Sequence, residues 1–212
     1  MTRIAGFVAE LTSIAVGGDA IAFWRVADLE QHVDRAALLA GDDPPEPPYW
    51  AHLWTGALVL AAAVPPDGGR VLEVGCGLGL PGLVAARRGA RVTFVDRLAA
   101  PLEFVRASAA ANRLAPVDVC VADFAGAARR GSFDLILAAE VLYDRATLGT
   151  LPETLRRCLR PGGRALLTDA RRTDTTAFYA ALDASRLAWH VAEHAVREEG
   201  LPLTVRLVEV RG

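Results

Sequence analysis

The segment from Arg70 to Gly82, RVLEVGCGLGLPG, constrains this chain more than any other. An apolar run of strand type (Val71, Leu72, Val74) carries one embedded acid, Glu73, and passes straight into three alternate glycines, Gly75, Gly77 and Gly79, with Gly82 close behind. An alanine-rich helical stretch follows. The pattern predicts a strand, a tight turn and a helix N-terminus. Glycine tolerates positive φ and lets a ligand approach the backbone with no Cβ in the way. The helix N-terminus adds unpaired N–H donors and the positive end of a dipole. Such a turn is suited to a polar, partly anionic cofactor.

The rest of the chain supplies a frame for that turn. Its 212 residues, 52% hydrophobic and 23% charged, suit one folded α/β domain of ordinary size. A net charge of −2 offers no basic excess for nucleic-acid binding, and no such partner is expected. Cys76, Cys120 and Cys158 are far apart and include no Cys-x-x-Cys pair, which argues against a disulfide framework or a metal site and for a reducing cytoplasm. The longest apolar run, Ala57 to Val64, is too short to span a bilayer, and Glu10 interrupts any signal-peptide core, so no membrane partner is expected. Oligomeric state is not legible.

Residues 1–45 read as an N-terminal extension: a hairpin of Phe7–Val16 and Ile21–Val26 about Gly17-Gly18-Asp19, then a helix capped by Asp28 and running through Leu39. The proline-rich stretch at residues 41–50 is a loop. Residues 46–212 form the main domain. A helix follows Trp50, with Leu53, Ala57, Leu60 and Ala61 on one face, and stops at Pro65 to Gly69. Strands are expected at 70–75, 91–95, 117–121, 133–139 and 163–169, with helices near 80–89, 98–113, 124–130 and 146–160. Alternation of this kind means βαβ units and a parallel sheet. Ala188–Val196 and Leu203–Val210 break the alternation as a C-terminal hairpin that places one antiparallel strand in the sheet. The fold class is α/β: a Rossmann-like, doubly wound, seven-stranded and mostly parallel sheet.

Ligands of such sheets lie beyond the carboxyl ends of the strands. Asp96, which ends the second strand about 20 residues past the first glycine, is placed to accept from both ribose hydroxyls of an adenosine. After the third strand, Asp123 can accept from an adenine amino group while Phe124 offers a flat apolar face. Glu140 and Tyr143 follow the fourth strand, facing the reacting end of the cofactor. Gly77-x-Gly79-x-x-Gly82 also satisfies the dinucleotide fingerprint, so an NAD-dependent oxidoreductase is an alternative. Against it, no Tyr-x-x-x-Lys pair is present and the chain contains no lysine. A binding module without activity is a further alternative, disfavoured by the intact glycines, Glu73 and Asp96.

On these residues the chain resembles the class I S-adenosylmethionine-dependent methyltransferases. LEVGCGLGLPG resembles the family's first motif, Phe94 to Arg97 (FVDR) its acidic second strand, Val121 to Phe124 (VADF) the third, and Arg160 to Gly163 (RPGG) the late turn before a strand. With PPYWAHLWTGALVLA ahead of them, the motifs resemble methyltransferase family 16, which includes seven-strand protein lysine methyltransferases. The resemblance implies S-adenosyl-L-methionine as cofactor. Trp54 would lie against it, Gly75, Gly77 and Gly79 would line its methionine part with Glu73 near the ammonium, Asp96 would take the ribose, and Arg97 would also belong to the cofactor site. Asp123 and Phe124 would hold the adenine, and Ala139 would line the pocket. Lysine methyltransferases of the family often carry Asp-x-x-Tyr after the fourth strand; this chain has Glu140-Val-Leu-Tyr143, which keeps the acid and moves it by one methylene. The implied acceptor is a protein lysine, with a small amine or N-heterocycle as the alternative.

Overall fold

A computed structural model describes residues 1–33, 47–123 and 132–212. The described residues form two sheets. The smaller one is antiparallel and built from β1 (Thr2–Ile4), β2 (Phe7–Val16) and β3 (Asp19–Val26) in that order. β2 and β3 reproduce the expected hairpin, while β1 was too short to register as a strand. The larger sheet contains β4 (Arg70–Val74), β5 (Arg91–Asp96), β6 (Asp118–Val121), β7 (Phe133–Ala139), β8 (Leu159–Asp169), β9 (Ala188–Glu198) and β10 (Leu201–Arg211), in spatial order β6-β5-β4-β7-β8-β10-β9. Pairings from β6 to β8 are parallel, and β10 is antiparallel to both of its neighbours. The helices are α1 (Thr55–Ala63), α2 (Leu80–Arg87), α3 (Ala99–Ala111), α4 (Arg145–Cys158) and α5 (Thr176–Ala184).

Strand alternation divides the core between the two faces of the large sheet. Val71, Phe94, Leu135 and Leu137 join one buried cluster with Leu60 of α1, Leu83 of α2 and Phe104 of α3. Leu72, Val95, Ile136 and Ala138 join the other with Leu151 of α4 and Phe178 of α5. Burying both faces of the central strands is what makes their sequences almost continuously apolar.

The small sheet shares the first cluster through Ile21, Phe23 and Val26, so it is packed onto the helices rather than tethered to them. Its open edge is closed by α3. The Ala22 N–H donates to Asn112 Oδ1 at 3.0 Å, the Asn112 amide donates back to the Ala22 carbonyl, and the Trp24 N–H donates to Ser108 Oγ at 2.9 Å. Side chains thereby satisfy an edge that would otherwise template another strand.

Two expectations are corrected. Asp28 does not cap a helix by its side chain: it sits at φ 51° ahead of a single 3₁₀ turn, Leu29–His32, and makes no capping bond. The rest of that helix, through Leu39, and the helix at 124–130 lie outside the described residues. β8 begins at Leu159, four residues before the expected start. Arg160 to Gly163 bulge out of the ladder, where the partner of Phe133 is Leu159 but that of Leu135 is already Arg164.

Candidate cofactor and acceptor site

The carboxyl ends of β4, β5, β6 and β7 converge on a cavity of about 330 Å³. The glycine turn forms its floor. Gly75, Gly77 and Gly79 all have positive φ, at 57°, 50° and 71°. At Gly77 a Cβ would also stand 2.9 Å from the Trp50 carbonyl oxygen, so the bare backbone is required twice over. Asp96, Arg97 and Leu98 line one side, Ala122 and Asp123 another, and Ala139 with Glu140 the end nearest β7. Trp54 and Tyr143 line the cavity from the opposite rim.

The Asp96 carboxylate is held from below: Oδ2 accepts from the Gly77 N–H at 3.0 Å and Oδ1 from the Leu98 N–H at 3.1 Å. Burial raises its pKa, against the lowering effect of those two bonds. Each oxygen keeps a second lone pair for a ligand hydroxyl. Phe124 falls outside the described residues.

Glu73 is the selected residue that lies elsewhere. Alternation along β4 sends its side chain to the face covered by α2, away from the cavity lining. There it is 1% exposed, and Oε2 accepts from the Gly82 N–H at 2.8 Å while Oε1 has no hydrogen-bond partner among the described residues. A Cβ at Gly82 would approach Oε2 to 2.3 Å, so the glycine makes room for the acid. Burial pushes the Glu73 pKa up to about 8, partly offset by the Gly82 bond and reinforced by Asp96. The carboxyl thereby braces β4 against the start of α2.

A second cavity of about 230 Å³ opens beside the first and shares Tyr49, Trp54, Glu140 and Tyr143 with it. Glu140 occupies a left-handed backbone position, φ 55°, directly after β7. Its Oε2 accepts from the Ala170 N–H at 3.3 Å and lies 3.6 Å from Arg172 Nε. Burial raises the Glu140 pKa and the Arg172 charge opposes that rise. Arg172 and its partner Glu198 were not selected from sequence. They come from the loop after β8 and the end of β9, and no spacing rule joins them.

The residues of the first cavity fit an adenosyl cofactor with a charged amino-acid tail, since a bare turn, a helix N-terminus and a ribose-level carboxylate all face one space. The description "Methyltransferase domain" fits a family model that matches residues 71–163. A ubiquinone biosynthesis O-methyltransferase of Xanthomonas axonopodis pv. citri (strain 306) is 32% identical over 166 residues, covering 75% of this chain and 69% of that one. The electron transfer flavoprotein beta subunit lysine methyltransferase of Danio rerio is 31% identical over 166 residues, covering 74% of this chain but 63% of that one. The chain thus spans less than two thirds of that relative's length. Among solved structures, the 16S rRNA N2 G1207 methyltransferase of T. thermophilus shares the fold, with a TM-score of 0.65 at 18% identity over 96% of this chain and 50% of that one.

The chain belongs to the class I S-adenosylmethionine-dependent methyltransferases. Within that class its likeness extends to lysine methyltransferases, in keeping with the family-16 pattern of its motifs. Among the described residues, no helix is long and apolar enough to cross a membrane.

Proposed function

We propose that this chain transfers a methyl group from S-adenosyl-L-methionine to an amine, with a protein lysine as the acceptor. The observation that carries the reading is the pair of adjoining cavities that meet at Glu140, Tyr143 and Trp54. The cofactor supplies an already activated methyl on a sulfonium centre, so the protein's task is alignment rather than activation of a strong nucleophile. Gly75, Gly77 and Gly79 would cradle the amino-acid tail, Asp96 would accept from the ribose, and Arg97, Asp123 and Ala139 would close around the adenosine. Glu140 would hold the acceptor nitrogen by charge, and Tyr143 would close the slot over it by hydrogen bond or ring face. Water or a nearby carboxylate would take the proton that an ammonium acceptor must lose.

Lysine methyltransferases among the relatives support this acceptor. A small amine is the alternative reading, favoured by the modest size of the second cavity, about 230 Å³. The three free cysteines fit a reducing, cytoplasmic setting. The division at residues 45 and 46 is read as an acceptor-selecting extension ahead of the cofactor domain, since Phe7 of β2 packs on Trp50 at a ring separation of 5.4 Å and Trp50 lines the first cavity.

Glu140→Ala tests the assignment. Turnover should fall by at least about 100-fold, as for loss of an acceptor-orienting group, while S-adenosylhomocysteine binds as before. Lost cofactor-product binding in that variant would move Glu140 out of the acceptor role.

A further inference from the structure

The second cavity contains more chemistry than the proposed transfer uses. Tyr49, Trp54 and Tyr143 stand ring to ring, with Tyr49 centred 6.3 Å from Trp54 and 6.2 Å from Tyr143. Glu140 and Asp169 supply acids in the same wall. Three aromatic faces with carboxylates behind them make a setting for a positive charge. A positive charge is already there, and it belongs to the chain. The Arg172 guanidinium lies 4.7 Å from the centre of the Trp54 ring and 3.6 Å from Glu140 Oε2, and its Nη2 donates to both carboxylate oxygens of Glu198 at 2.8 and 3.0 Å.

Two further features show that this arrangement is built. Glu198 is itself positioned by the Thr55 hydroxyl, which donates to it at 2.9 Å. Gly56 leaves the space that the Glu140 side chain fills, since a Cβ there would stand 2.3 Å from Glu140 Oε1. Arg172 remains about one third exposed, with a side-chain accessibility of 32%, so the guanidinium is a stopper reachable from solvent and not a sealed core pair. Its hold on Glu198 is shorter than its hold on Glu140. It can therefore release Glu140 and Trp54 while staying tethered.

We propose that the second cavity is a cation slot for the acceptor, that Arg172 fills it in the resting chain, and that an incoming ammonium displaces the guanidinium from Trp54 and Glu140. The inference rests on the amine-transfer reading and adds to it a specificity residue. Only an acceptor cation able to compete with a tethered guanidinium enters, so uncharged and anionic acceptors are turned away. Arg172 acts on selection and not on the methyl transfer itself.

The test is binding, not turnover. Tetramethylammonium and acetate are titrated against the full chain saturated with S-adenosylhomocysteine, with tryptophan fluorescence as readout. Arg172→Ala should bind tetramethylammonium about tenfold more tightly than wild type, since the cation no longer has to evict a resident one. Arg172→Lys, which supplies a replacement cation, should return the affinity towards that of wild type. Equal or weaker binding to Arg172→Ala, with S-adenosylhomocysteine bound normally, overturns the displacement. So does acetate binding by wild type that Arg172→Ala abolishes, because Arg172 would then be an anion receptor. If the alanine variant fails to bind S-adenosylhomocysteine, Arg172→Gln, which keeps the stem, is judged by the same criterion. A wild-type chain that does not bind S-adenosylhomocysteine at all would refute the methyl-transfer reading instead.

Discussion

Glu73→Gln isolates the effect of a buried acid on the stability of the whole domain. The carboxyl is 1% exposed and its pKa stands at about 8 instead of 4.5, chiefly because burial disfavours the charged form. The folded chain therefore holds this proton more tightly than the unfolded chain. The associated stability is complete below pH 4.5 and is lost as the pH climbs through about 8. Each unit of pKa difference corresponds to about 1.4 kcal/mol, so a carboxyl shifted this far has given up about 3 kcal/mol by pH 7. The glutamine amide has no such titration, and its carbonyl oxygen can still accept from the Gly82 N–H that Oε2 now receives at 2.8 Å. Urea denaturation of both proteins at half-unit steps from pH 5 to pH 8 reads the difference directly. The variant should gain on the wild type by about 1.4 kcal/mol per pH unit over most of that range and level off above it. Asp96 and Glu140, also raised by burial, titrate in both proteins and largely cancel in the difference. A gap that stays constant with pH would show that Glu73 is ionised in the folded chain at neutral pH, and would refute the reasoning.

Other perturbations probe neighbouring parts of the fold. Gly82→Ala places a methyl 2.3 Å from Glu73 Oε2 and 2.4 Å from Phe94 Cε1, so despite the better helix propensity of alanine it should lower stability by about 2 kcal/mol in chemical denaturation. Asn112→Ala strips the Ala22 N–H and carbonyl of their partners on the edge of β3, and a loss of about 2 kcal/mol is expected, together with faster amide exchange at Ala22. Unchanged exchange there would mean that the Asn112 bonds do not hold this edge of the small sheet.

The order and kind of the described elements from β4 to β8 were legible because each carries its own local signal. Buried parallel strands are short apolar runs, and proline and glycine mark where helices stop. The cofactor turn was legible for the same reason, since the strand, three glycines and helix start all lie within RVLEVGCGLGLPG. Asp96, Asp123 and Glu140 followed from the rule that ligands collect at the carboxyl ends of parallel strands, and all three line the first cavity. Glu73 shows where local reading stops. The resemblance implies a place near the cofactor ammonium for it, while the two-residue period of β4 turns its side chain under α2, and only the packing of Gly82 and Phe94 reveals what it braces there. β1 and the bulge at Arg160 to Gly163 escaped because three residues and one irregular step leave too little periodicity to detect. Arg172 and Glu198 could not be found from sequence at all. They are brought together only because β10 inserts antiparallel between β8 and β9, which returns the end of β9 to the loop after β8. Local signals were enough for the class of sheet and for the cofactor turn; the filling of the second cavity by Arg172 depends on contacts made across strands that no short-range pattern connects.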